Sequence, residues 1–264
     1  MKEIPVLRTY TEQIEKNKFA DIAKHLGLRG DLVATKEALF MQGKQSALVY
    51  AMPGSRFAGL LFFTDQTNGV AAPIERTPGK EAVETWTQDF LKRFQLGPRE
   101  SSAKQIRVSF ATRVLRTESA VDTDKEGKNV KRAPIKTDVI FDLQVNDLKV
   151  TGPRAKVRLT FKSARAPVWI HRALWEKMEL FEARPMLTED EVYRKVKDRL
   201  SRRGETLKMW QMIGIRLVYF AGEYSGGPDL LLPYYFAEIE YRDPKDKERT
   251  RQGPRQLIQM PAWR

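Results

Sequence analysis

Two histidines, His25 and His171, stand far apart in a chain that has no cysteine, so thiol nucleophiles, disulfides, thiolate metal sites and a histidine-rich metal site are all excluded. A carboxylate site for a hard cation stays open on composition alone. The acidic trio Glu189-Asp190-Glu191 is the densest carboxylate group. It follows Leu187-Thr188, however, where acid in the first turn of a helix is stabilised by free amide donors and the peptide dipoles, so it reads as structural. Glu238 and Glu240 share one strand face near Tyr241 and Arg242. A paired-carboxylate hydrolase needs its partners at a defined separation across a cleft, which a single strand does not document, and a solvated face is the simpler reading. His171, beside Arg172 and near Trp175, would act as a base only with a nucleophile to serve, and no Gly-x-Ser-x-Gly elbow exists. Ser225-Gly226-Gly227-Pro228 completes neither a phosphate loop nor a dinucleotide fingerprint and reads as a hairpin loop. No catalytic set emerges, and no cofactor is called for.

Two other groups of residues suggest binding. The net charge is +13, and between Lys149 and Trp175 there are seven basic residues and no acid. Within that stretch Arg154, Lys156, Arg158 and Lys162 alternate with Ala155, Val157, Leu159 and Phe161, so one face of a strand is cationic and the other apolar. With Arg165 and Arg172 they form a candidate strip for a polyanion, either nucleic acid or an acidic polymer. The alternative is a solvated sheet face. Trp169 and Tyr219 read as core or sheet-facing side chains and not as stacking platforms. The second group is the run Leu230-Leu231-Leu232-Pro233-Tyr234-Tyr235-Phe236. Proline within a strand is tolerated chiefly at a sheet edge, which would leave backbone groups free to add a partner's strand, with Tyr234, Tyr235 and Phe236 as contacts. A core strand bent at a bulge is the competing reading.

The elements that must position these residues follow from periodicity. Thr9-Tyr10-Thr11-Glu12 has the spacing of a capping box, and Ile14, Phe19, Ile22, Ala23 and Leu26 continue at helical spacing to a stop at Gly27. Strands are expected over Asp31 to Met41, Ser46 to Met52 and Phe57 to Thr64. A second helix runs from Gly79 to Leu96 and ends at Gly97-Pro98. A long hairpin spans Gln105 to Ser119 and Ile135 to Val145, and further strands cover Arg154 to Lys162 and Pro167 to Arg172. A third helix opens at the Leu187-Thr188-Glu189-Asp190-Glu191 capping box and buries Val192, Val196 and Leu200. Gly214 to Ala221 and Leu230 to Tyr241 make the last strands, and the stretch after Pro244 reads as irregular.

Gly152-Pro153-Arg154-Ala155-Lys156-Val157-Arg158-Leu159, the strand reaching His171-Arg172 and Trp175, and the Leu187 to Val192 helix start resemble exported bacterial PepSY-like and YycH/YycI-like modules. The strand pair Leu217-Val218-Tyr219-Phe220 and Leu231 to Ala237 is similar too. The resemblance covers mainly residues 150–241, with a fainter echo over 4–100. It implies a non-enzymatic module outside the cytoplasmic membrane, with any signal or anchor removed, that binds or restrains other proteins. Met1 to Val6 shows no secretory signal and the chain is strongly basic, so a cytoplasmic location is the other reading.

The expected fold class is α+β: two antiparallel sheets, each with a helix packed on one face, as in tandem PepSY/cystatin-like modules. The first module is placed at 1–98, the second with its long hairpin at 99–242, and a basic irregular tail at 243–264. No apolar run reaches the roughly 20 residues of a membrane helix, so no membrane span is expected. The expected function is recognition of a protein or peptide partner, with polyanion binding as the alternative. A homo-oligomer is left open.

Overall fold

The computed structural model describes residues 2–11, 13–53, 55, 57–65, 78–97, 106–123, 130–152, 155–162, 165–202, 209–221, 230–242 and 254–263, with only the backbone described at 119–123, 130–133 and 176. Arg154 of the basic strip and the loop Ser225 to Pro228 lie outside the described residues.

The described residues build one connected sheet of fourteen strands with three helices. This corrects the expectation of two separate antiparallel sheets. Strands β1 (Glu3–Thr11) and β8 (Leu148–Thr151) make the connection. β1 lies between β11 (Trp175–Pro185) and β13 (Leu230–Tyr241), and β8 pairs in parallel with β12 (Trp210–Phe220) through Tyr219↔Val150 and Phe220↔Thr151. All other pairings among the described strands are antiparallel. On one side of β8 the order continues through β7 (Val130–Val145), β9 (Lys156–Phe161), β10 (Trp169–Ala173), β5 (Leu60–Asp65), β4 (Ser46–Ala51), β3 (Ala38–Gln42) and β2 (Leu32–Ala34). β6 (Val108–Thr123) hangs on β7, and β14 (Arg255–Pro261) on β13.

The expected capping box at Thr9 is instead the end of β1, where Thr9 is buried and pairs with Met178. Ile4, Val6 and Leu7 bury with it, and a partner some 170 positions downstream decides the conformation where local spacing suggested a helix start. Helix α1 (Lys16–His25) begins later and closes as expected at Gly27, whose φ of 80° lets Leu28 N–H donate to Ala23 O at 3.0 Å and Gly27 N–H to Lys24 O at 3.1 Å. Helix α2 (Lys80–Arg93) stops earlier than Gly97: Gln95 takes the left-handed turn at φ 48°, and Leu96 N–H donates to Leu91 O at 2.8 Å. The tail expected to be irregular contains β14, whose Ile258 and Met260 are buried against β13.

Apolar residues on one sheet face collect all three helices. Leu39, Leu48, Tyr50, Leu61, Phe63, Val139, Val157, Leu159, Phe161 and Ile170 pack with Phe19, Ile22 and Ala23 of α1 and Val83, Phe90 and Leu91 of α2. Each such buried side chain contributes about 2–3 kcal/mol of transfer free energy. Helix α3 (Glu189–Arg202) lays Val192, Val196 and Leu200 on Tyr235, Ala237, Ile239, Ile258 and Met260. Its capping box forms, with Thr188 N–H donating to Glu191 Oε2 at 2.8 Å and Glu191 N–H to Thr188 Oγ1 at 3.3 Å. Leu231 of the first cluster and Tyr235 of the second alternate on the same side of β13, so the helices share a face. The opposite face carries no helix among the described residues.

Candidate functional site

The inward alternation of Val157, Leu159 and Phe161 forces Lys156, Arg158 and Thr160 onto the helix-free face. Register then places other side chains beside them. Val33, Phe40, Val49, Phe62, His171, Arg158, Ile140 and Arg113 form a single row across eight strands, each paired with the next. None of the eight is buried, and Val33 keeps 50% of its surface. One end of the row is apolar and the other cationic.

A cleft of about 430 Å³ opens where the two meet, lined by Arg113, Ile140, Asp142, Lys149, Thr151, Lys156, Arg158, Trp169 and His171 among others. Two tight hairpin features shape it. Asn146 and Asp147, both at positive φ, turn β7 into β8 in two residues, which brings Lys149 opposite Gln144. Gly152 then crosses within touching distance of β12: a Cβ there would stand 2.2 Å from Ala221 O.

Most of the cleft's cations are already paired. Asp142 takes Arg113, with Arg113 Nη2 donating to Asp142 Oδ1 at 3.1 Å, and also Lys149 at 3.8 Å. Arg158 Nη2 donates to Asp138 Oδ2 at 2.7 Å, and Thr160 donates to the same carboxylate, which is buried. Lys156 is exposed and has no ion-pair partner among the described residues. The Arg158 guanidinium sits 5.2 Å from the Trp169 ring, Trp169 stacks on His171 at 5.8 Å and 20°, and Phe62 meets Trp169 edge-on at 5.7 Å. Burial, helped by the Lys156 and Arg158 charges, holds His171 below the ordinary histidine value. His171 Nε2 and Arg158 Nε are buried atoms with no hydrogen-bond partner. Trp169 is thus a sheet-facing side chain, half-buried among Phe62, His171 and Arg158 on the helix-free face.

The structure separates the rest of the expected cationic strip. Arg172 is 1% exposed on the helix side, its Nε donating to Leu96 O at 2.6 Å beyond the end of α2. Arg165 is exposed and pairs with Asp89 of α2 at 2.7 Å. Lys162 follows β9 outside the cleft lining. Arg154 lies outside the described residues. Of the described residues of the strip, Lys156 and Arg158 reach the site.

The aromatic group is divided as well. β13 is paired with β12 along one side and β14 along the other over Tyr234 to Glu240, so the free edge expected there is occupied. Tyr235 is buried under α3, its hydroxyl donating to Leu187 O at 3.2 Å. Tyr234 and Phe236 emerge half-buried on the helix-free face, where Tyr234 meets Phe220 at 5.6 Å and Trp263 at 5.8 Å, and Phe236 meets Phe220 at 6.0 Å. Phe220 pairs with Thr151 of the cleft, so this aromatic patch continues the same face. Glu238 and Glu240 are both held by Arg255, at 3.4 and 3.2 Å.

No protein-family model matches the chain, and no curated protein matches it. Among solved structures, an uncharacterized protein from Eubacterium rectale ATCC 33656 superposes with a TM-score of 0.55 at 9% identity, over 99% of this chain and 84% of that one. Identity this low speaks for a shared fold and carries nothing about activity.

Proposed function

We propose that this protein is a non-enzymatic binding module that holds a partner polypeptide across the helix-free face of its sheet. The observation that carries the reading is the continuous row from Val33 to Arg113, in which apolar and cationic side chains stand side by side and none is buried. A polypeptide presents both kinds of group to such a surface. A dense polyanion uses only one, and Asp138 and Asp142, on either side of Ile140, already pair with Arg113, Arg158 and Lys149. Recognition by the sheet face replaces strand addition at β13 as the mode of contact. The likeness to exported modules supports a place outside the cytoplasmic membrane, which cell fractionation of the native protein tests directly.

Selection of binders from a random-peptide display library tests the function. Peptides that compete with one another and lose at least tenfold in affinity on Phe62→Asp support the reading. A selection that returns no specific peptide sinks it. Binding to oligothymidylate that weakens steeply between about 50 and 200 mM salt, in place of peptide binding, would move the assignment to polyanions.

A further inference from the structure

We infer that the floor of the cleft around Lys156, Arg158 and His171 is a subsite for one carboxylate of the bound polypeptide, with an apolar residue three positions away in an extended ligand seated on Phe62 and Val49. This rests on the polypeptide-binding reading above and adds the chemistry of the ligand.

Unused donor capacity is the first ground. Lys156 is exposed and without an ion pair among the described residues, while the Nε atoms of Arg158 and His171 are buried and unpartnered in the same cleft. Buried polar atoms rarely stay unpaired, and two such atoms beside an uncommitted ammonium are the complement of a small anion that accepts several hydrogen bonds. A neutral imidazole still offers one N–H, so His171 contributes a donor at neutral pH.

Local charge is the second. Asp138 and Asp142 stand on either side of Ile140 on the same strand, committed to Arg158 and to Arg113 and Lys149. Lys156, the cleft cation without an ion pair among the described residues, suits one carboxylate; a multiply charged phosphate chain laid over the cleft would meet both aspartates.

Spacing is the third. Phe62 and Arg158 flank His171 in the row and lie two strands apart, about 10 Å. A ligand chain in the extended polyproline II conformation, with three residues per turn at about 3.1 Å each, spans that distance in three residues and presents both side chains to the same face. An apolar side chain on Phe62 and Val49 therefore sets an acidic side chain three positions away over Arg158.

The test uses fluorescence anisotropy of labelled synthetic peptides containing Phe-Ser-Ser-Glu, Phe-Ser-Ser-Gln or Phe-Glu on the whole protein. The Phe-Ser-Ser-Glu peptide is expected to bind about tenfold more tightly than the other two, with Lys156→Gln erasing the advantage and Lys156→Arg retaining it. Lys156 is exposed, so these variants leave the fold intact. Equal affinity for the Glu and Gln peptides overturns the subsite. If library-selected peptides show no acidic preference and still fail on Phe62→Asp, the subsite is wrong and the polypeptide reading stands. If the library returns nothing, both fall together.

Discussion

His171 shows how one side chain's surroundings reach the behaviour of the molecule. Burial, Lys156 and Arg158 hold its pKa below the ordinary 6.5, and burial, Arg93 and Arg165 do the same to His25. In the unfolded chain both return to the ordinary value, so as pH falls below 6.5 the unfolded state takes up protons first. The stability tied to the neutral rings is complete above that pH and declines as acid approaches the folded values. Urea midpoints measured from pH 7 downward should therefore fall, and His171→Gln should flatten part of that fall; an unchanged slope in the variant would clear His171 of the effect. Arg172 offers the opposite lesson. Its position in a basic run suggested a surface cation, yet it shares the parity of buried Ile170 on β10 and faces Val157 and Leu61. The alternation was readable in the chain; the carbonyl of Leu96 that receives the guanidinium was not, because it lies 76 residues away. Charge alone groups Lys156, Arg158 and Arg172; strand parity places the first two on the helix-free face and the third in the core.

Among the elements, the parallel seam between β8 and β12 depends on Gly152. Its φ of 111° and the clash that an added Cβ would make with Ala221 O leave no room for a side chain, and the flanking Ala221 N–H donates to Thr151 O at 2.8 Å. Gly152→Ala should cost about 2–4 kcal/mol in denaturant unfolding and disturb the cleft, whose lining includes Thr151 and Gly152. A loss below 1 kcal/mol, roughly the effect of an ordinary surface change, would mean the seam adjusts freely. Helices α1, α2 and α3 were legible because their apolar spacing and stops are local properties. Strand β9 and the hairpin of β6 and β7 were legible from alternation. β1, β11 and β14 escaped because their conformation is set by partners and not by local spacing: β1 by β11 and β13, β14 by β13. In β14 and the residue that follows it a faint signal exists in Ile258, Met260 and Ala262, all buried at alternate positions.

At the level of the whole molecule, the first core cluster runs from Leu7 to Leu231, joining the start of the chain to residues near its end. Leu7 is fully buried, pairs with both Leu180 and Leu231, and so touches the sheet on either side of β1. Leu7→Ala is expected to lower stability by about 2–5 kcal/mol. Hydrogen exchange should quicken in β11 and β13 together, and a change confined to one of them would show that β1 does not couple its neighbours. The overall architecture was the least legible feature, since nothing in a strand's own residues says which other strand it will join. That same insertion fixes the timetable of biogenesis. A ribosome adding about 5–20 residues each second leaves the first strand waiting roughly 10–45 s for its second neighbour to be made. During that interval Ile4, Val6 and Leu7 have no finished sheet to enter. Completion of the sheet around β1 therefore waits for β13 to be made, and until then the nascent polypeptide is a natural client for chaperones that shield sticky segments.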